Sequence, residues 1–183
     1  MNPAPNLFFI GPMGAGKTTV GRHVAELLAM PFHDLDHEIE RHTGAAVGLV
    51  FDLEGEAGFR KRESAALAEL AAGEGLVLST GGGAVLSEAN RSVLRERGFV
   101  IWLDATIDAQ LARLERDRQR PLLKAPDRRA RLEHLATERN PLYEEIADLR
   151  IASSGTGNSA HTARHIVALL QTRWQRGLAD TPA

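Results

Sequence analysis

A chain of 183 residues with 43% hydrophobic content fits one compact α/β domain and is short for two. Its net charge of -2 removes the basic field that nucleic acid or a membrane surface would call for, so any basic cluster must be local. It has no cysteine, which excludes disulfides and thiol chemistry.

Met1 to Asn6 has no basic n-region, and the apolar run after it is too short for a signal sequence or a membrane span, so a cytoplasmic protein is expected. Leu7 to Ile10 reads as a buried strand and Thr18 to Ala29 as a helix with Val20, Val24, Leu27 and Leu28 on one face. An extended piece, Phe32 to Leu35, leads into two aspartates, Asp34 and Asp36. Ala46 to Ala72 is helical in character, interrupted near Gly55 and Gly58. Leu76 to Ser79 is a strand closed by three glycines, followed by a helix over Ser87 to Arg97 and a strand over Phe99 to Leu103. Thr106 to about Arg116 is helical; Arg118 to Pro126, polar and with two prolines, reads as a mobile loop. Asp127 to Arg139 returns to helix, with a stop expected at Asn140-Pro141. A last strand over Leu149 to Ala152 and a helix marked by Ala163, Val167, Leu170 and Trp174 complete the pattern, with fraying expected from Gly177. Strands joined through helices imply a mainly parallel sheet covered on both faces, with ligands beyond the strands' carboxyl ends.

The chemistry sits at those ends. Gly11-Pro12-Met13-Gly14-Ala15-Gly16-Lys17-Thr18 matches G-x-x-x-x-G-K-[ST] in full, between a strand and a helix as the motif requires. Backbone N–H groups of such a loop turn inward around phosphate oxygens, the helix start adds positive dipole, Lys17 faces the β- and γ-phosphates, and the Thr18 hydroxyl can ligate Mg²⁺. The loop by itself means nucleotide binding rather than transfer; switch GTPases carry it too, but their N-K-x-D stretch is absent here.

Strand alternation would put Asp34 and Asp36 on the same side, near the phosphates, one to hold Mg²⁺ through water and the other to accept a proton from a hydroxyl or orient it. The plainer alternative makes Asp36 the cap of the helix through Ile39. Arg60 and Glu63 lie three apart on one helix, so Glu63 can hold the guanidinium, and arginine's planar fork suits a carboxylate; an ordinary surface ion pair is the alternative. Gly81-Gly82-Gly83 allows close backbone approach to a ligand, or makes a plain turn. Among Arg113, Arg116, Arg118 and Arg120, the last precedes Pro121 and can close over ATP, whereas Arg116 and Arg118 fit a solvated surface. Arg139 is a candidate second carboxylate clamp. From the residues alone this is a P-loop kinase acting on a small hydroxylated, anionic acceptor.

The phosphate loop, Asp34-x-Asp36, Phe59-Arg60-x-x-Glu63, the Gly81 to Gly83 triplet, Arg120-Pro121-Leu122-Leu123 and Arg139-Asn140-Pro141-Leu142-Tyr143, in that order and spacing, together resemble the shikimate kinase family, from the first strand to about Arg164. The resemblance implies an α/β fold of the P-loop nucleoside-monophosphate-kinase type with a five-stranded parallel sheet. Residues 1–176 would form one kinase domain, with a lid at about 117–127, an acceptor-binding helical region at about 34–62 and a disordered tail at 177–183.

The same resemblance implies transfer of the ATP γ-phosphoryl group to the 3-hydroxyl of shikimate in aromatic amino-acid biosynthesis, with one Mg²⁺, by a monomer with no nucleic-acid or membrane partner. By matched position, Asp36, Arg60, Gly82 and Arg139 hold shikimate, the arginines on its carboxylate and Asp36 as base. Thr18 and Asp34 hold Mg²⁺. Gly14, Ala15, Gly16, Lys17, Thr18 and Thr19 cradle ATP, Arg113 and Asn158 lie near adenine, and Arg120 closes from the lid, so that Lys17, Asp36 and Arg120 form the catalytic set. The loop from Ser153 to Ala160 is richer in Ser and Gly than the family pattern. Two other readings stay open: another small-molecule kinase, such as one resembling gluconate kinase, or a nucleotide-binding module without transfer activity.

Overall fold

In the computed structural model, residues 3–115, 127–153 and 158–175 are described. Five strands, β1 (Asn6–Ile10), β2 (Phe32–Asp34), β3 (Val77–Ser79), β4 (Gly98–Asp104) and β5 (Leu149–Ala152), form one sheet in the order β2-β3-β1-β4-β5. Every pairing is parallel, with Leu7 opposite Val77 on one side and Phe99 on the other. Parallel neighbours need crossovers, and helices supply them: α1 (Lys17–Leu28), α2 (Leu35–Thr43), α3 (Val47–Ala72), α4 (Glu88–Arg97), α5 (Ile107–Leu114), α6 (Arg128–Ile146) and α7 (Ser159–Arg173), with a short 3₁₀ turn at Ala84–Leu86.

Because side chains alternate along a strand, β1 feeds two cores. Leu7 and Phe9 pack with Val20 and Val24 of α1 and with Ala163, Ile166 and Leu170 of α7. Phe8 and Ile10 face the other way, against Leu35 and Ile39 of α2, Phe59 and Leu67 of α3, Leu94 of α4 and Tyr143 of α6. The site therefore stands on a rigid edge: β1 and β3 are buried on both faces, and their carboxyl ends open into loops.

Most expected elements occur within a residue or two of their predicted bounds, and four differences have physical causes. The interruption of α3 is a single kink at Gly55, whose φ of 69° and ψ of -179° lie outside helical space, while Gly58 stays helical. The second strand ends at Asp34, so Leu35 and Asp36 already belong to α2 and the alternation argument for the aspartates does not hold. The cap of that helix is Asp34, which accepts from the amides of Asp36 and His37, and not Asp36.

Helix α6 also runs through Pro141 to Ile146 instead of stopping there. A helix-interior proline costs about 3 kcal/mol in a lost hydrogen bond and ring crowding. Tyr143 and Ile146, 1% and 4% exposed, are buried only if the helix goes on, and each fully buried large side chain contributes about 2 kcal/mol. Burial wins. The expected tail at 177–183 and, of the lid expected at about 117–127, residues 117–126 lie outside the described residues.

Candidate active site

The phosphate loop occupies the turn between β1 and α1 and is held from three directions. Lys17, 8% exposed, donates to the carbonyls of Gly11 and Pro12 at 2.8 Å each. Arg113 of α5 donates to the Gly14 carbonyl at 2.7 Å and to Ser153 Oγ at 3.0 Å. Ser153, just past β5, donates in turn to the Ala15 carbonyl at 2.8 Å. Carbonyls are thus tied back into the protein. Ala15 itself is fully buried, so its contribution to a ligand is its backbone.

Beside the loop, the Thr18 hydroxyl donates to Asp34 Oδ2 at 2.6 Å and stands 3.4 Å from Ser79 Oγ. A hydroxyl and a carboxylate in contact are hard oxygen donors. Magnesium is characteristically held by one or two such groups, with waters and substrate phosphates filling its octahedron. No cluster of three or more His, Asp or Glu side chains suited to a metal occurs among the described residues. The donor set therefore fits a magnesium ion that arrives with nucleotide better than a dedicated metal cage.

A cleft of about 300 Å³ brings together Gly14, Gly16 to Thr19, both aspartates, the Ser79 to Gly82 stretch and Arg113. Its far wall is the glycine triplet, and here lack of side chains is required. A Cβ on Gly81 would lie 2.9 Å from Glu63 Oε1 and 3.4 Å from Asp36 Oδ1, and one on Gly83 would fall inside the Arg60 guanidinium. Close approach, not turn geometry, is what the triplet provides.

Behind it lies a buried charge cluster. Arg60 Nη1 donates to Glu63 Oε2 at 2.7 Å, and Glu63 is 1% exposed. Burial pushes the Glu63 carboxyl up; Arg60 opposes this, Asp36 adds to it, and Arg139 also opposes it. Arg139, 5% exposed, has its Nε without a hydrogen-bond partner, Glu138 Oε2 standing 3.8 Å off. Arg60 Nε and Glu63 Oε1 are likewise buried without partners. Unmatched buried polar atoms of this kind are costly unless a ligand completes them.

Of the residues expected from sequence, Gly14, Gly16, Lys17, Thr18, Thr19, Asp34, Asp36, Gly82 and Arg113 share the cleft, and Arg60 stands just behind its glycine wall. Arg139 lines a small adjoining pocket with Met13 and Tyr143. Asn158 is placed elsewhere: it caps α7, accepting from the Ala160 amide at 2.9 Å, and does not line the cleft. Arg120, Arg116 and Arg118 lie outside the described residues. Three cleft or wall residues escaped the sequence reading: Ser79, Thr80 and Tyr143. Tyr143 was visible as part of a motif, but only the fold reveals that its hydroxyl reaches Gly82.

Fold and site together define a P-loop kinase of small molecules. The parallel sheet carries a nucleotide cradle at the end of its central strand, with two carboxylates and bare backbone facing it across one cleft and the Arg60 guanidinium just behind that backbone. A model of the family "Shikimate kinase" matches residues 13–171. The chain is 58% identical over 144 residues to a shikimate kinase of Shewanella denitrificans, covering 79% of this chain and 84% of that one. It is 49% identical over 176 residues to one of Stenotrophomonas maltophilia, covering 96% and 97%. Its fold superposes on the shikimate kinase of Acinetobacter baumannii in complex with shikimate with a TM-score of 0.90 and 47% identity, covering 92% of this chain and 94% of that one. The chain belongs to the shikimate kinase family, and as such is an ATP-dependent phosphotransferase. Among the described residues, no helix is long and apolar enough to cross a membrane.

Proposed function

We propose that this chain transfers the γ-phosphoryl group of ATP to the 3-hydroxyl of shikimate, giving shikimate 3-phosphate and ADP for aromatic amino-acid biosynthesis. The observation that carries the reading is the pair of buried guanidinium Nε groups, on Arg60 and Arg139, left without acceptors behind the glycine wall. An acceptor bearing a carboxylate supplies what they lack, and arginine is the side chain best shaped for it.

On the nucleotide side, the amides of Gly14 to Thr19 and the start of α1 take the phosphates, and Lys17 turns from its loop carbonyls toward the β- and γ-oxygens. Thr18 and Asp34 hold the magnesium ion, which neutralises charge on the phosphates when bound. On the acceptor side, Arg60 and Arg139 fix the carboxylate while Asp36 and the Gly82 backbone position the ring hydroxyls. The hydroxyl oxygen forms the new bond to phosphorus, its proton passes to Asp36, and the bond to the bridging oxygen of ADP breaks. Catalysis in such transfers is positioning and electrostatics, since the protein forms no covalent bond itself.

Arg113 stands beside the loop at the nucleotide end; Arg120, by the resemblance of its Arg-Pro-Leu-Leu run, stabilises the transferring group, and its replacement should lower kcat by ~10³-fold. Asn158, whose side chain caps α7, contributes near adenine through position only. The working unit is read as a monomer in the cytoplasm, as the family resemblance implies.

A coupled assay of ADP release with shikimate, gluconate and nucleoside monophosphates tests the reading. Release only with shikimate is expected. Silence with shikimate, with or without activity on another acceptor, refutes it, and nucleotide binding with no acceptor-dependent release would favour a non-catalytic module.

A further inference from the structure

Tyr143 takes no part in the chemistry above, yet it touches two groups assigned to the acceptor. It is 1% exposed on α6, one turn beyond Arg139. Its hydroxyl donates to the Gly82 carbonyl at 2.5 Å, a contact spanning 61 residues of chain. Its ring leans on Trp102 of β4, centroids 5.7 Å apart and tilted by 34°. A Cβ on Gly82 would lie 3.5 Å from the phenol oxygen and 3.4 Å from both the Gly11 carbonyl and the Met13 amide, so this backbone runs in a slot between tyrosine and phosphate loop. Burial pushes the phenol far above its ordinary value, opposed by the charge of Arg139 and by a hydrogen bond from it, so the group stays a neutral donor.

We propose that Tyr143 is a positioning residue that pins the Gly82 carbonyl and thereby holds the Gly81 to Gly83 backbone, Arg139 and the acceptor in register with the phosphate loop. The peptide joining Gly82 to Gly83 is a rigid plane, so holding its carbonyl oxygen fixes the direction of the Gly83 amide as well. Three consecutive glycines have the greatest backbone freedom to lose; the amides of Ala84 and Leu86 hold the Gly81 and Gly83 carbonyls, and Tyr143 holds the central one. Arg139 and Tyr143 are four apart on one helix face, so the same ring that anchors Gly82 also bounds the space the guanidinium can occupy. The helix pays a proline at position 141 to bring this face to the site. The proposal rests on the acceptor assignment made above and names a residue that assignment does not use.

The test is Tyr143→Phe, which removes one oxygen and keeps the ring on Trp102. Kinetics against shikimate and ATP are compared with wild type, together with amide hydrogen exchange of Gly82 and Gly83 in the absence of acceptor. Losing the bond to Gly82, together with the phenol's contact with Arg139, should raise the acceptor KM about 3- to 10-fold, with the ATP KM unchanged and faster exchange confined to the triplet. An unchanged acceptor KM with unchanged exchange overturns the proposal. So do equal rises in both KM values with a large fall in Tm, which mark a packing role. Wild-type silence toward shikimate would sink the proposed function alone, because the exchange comparison still decides whether the pin exists; Tyr143→Leu, which loses ring and hydroxyl, separates the tether from the packing if the phenylalanine variant is unstable.

Discussion

The Thr18 hydroxyl and the Asp34 carboxylate meet at 2.6 Å, joining the first turn of α1 to the end of β2. Asp34 also caps α2 by accepting from two amides. One side chain therefore caps a helix and, in the proposed function, holds the metal, and the two roles separate by substitution. Asn caps as well as Asp but carries no charge. Asp34→Asn should keep Tm close to wild type and raise the magnesium concentration for half-maximal activity by roughly 10-fold or more. Asp34→Ala should add a stability loss of about 1 kcal/mol. Magnesium titration and thermal melts of both variants check this; equal metal dependence in all three proteins would remove Asp34 from the metal site.

Arg60→Ala acts on two quantities at once. It removes the carboxylate clamp, so the acceptor KM should rise by roughly 100-fold while the ATP KM stays put. It also leaves Glu63 buried beside Asp36 without its hydrogen-bonded ion-pair partner, Arg139 acting only through its charge, and breaking such a pair costs about 3 kcal/mol. Pairing the change with Glu63→Gln should recover much of the stability but none of the acceptor affinity. Denaturant melts and steady-state kinetics separate the two effects.

Gly83→Ala tests close approach against turn geometry. Its φ of -97° and ψ of -1° suit alanine, so the backbone has no objection. The added methyl would land on the Arg60 guanidinium, which Glu63 holds at 2.7 Å. The variant should fold with a Tm near wild type and show an acceptor KM raised ~10-fold, as for one charge-assisted contact displaced. Wild-type kinetics would mean that Arg60 moves aside at no cost.

Acid should weaken acceptor binding before ordinary carboxylates titrate. Burial raises Glu63 above its ordinary 4.5, so on acidification it takes up a proton while still above that value. The folded state then holds the proton more tightly than the unfolded chain. Glu63's contribution to stability is therefore fully present below 4.5 and lost as pH rises through the raised value. Binding runs the opposite way, because protonated Glu63 no longer holds Arg60 as an ion pair. The acceptor KM should climb as pH falls through the weakly acidic range above 4.5, and Glu63→Gln should show a high acceptor KM without that inflection. A pH series of acceptor KM in both proteins measures it.

How much of this was legible beforehand depends on how far apart in the chain the partners are. The phosphate loop is contiguous, and its strand before and helix after could be read from periodicity, so Lys17 and Thr18 stand where expected. Arg60 and Glu63 are three apart on a helix and meet as that spacing dictates. Both aspartates reach the cleft, but across a strand-to-helix junction and not by strand alternation, since capping by Asp34 ends the strand one residue early. The stop at Pro141 was misread because a local cost of about 3 kcal/mol yields to burial that a linear pattern does not display. Asn158, expected near adenine, has its side-chain oxygen on the Ala160 amide as the cap of α7, a role its neighbours in sequence did not signal.

What the amino-acid order determined by itself was the set of local devices, because each depends on neighbours within a turn of helix or a short loop: the anion cradle, the Arg60–Glu63 pair and the bare glycine run. What the tertiary structure alone decided was which of them meet. Glu63 against Gly81, Arg60 over Gly83 and Tyr143 on Gly82 are contacts between segments brought together by a parallel sheet packed on both faces. Their energies come from burial, and burial exists only once the chain has folded.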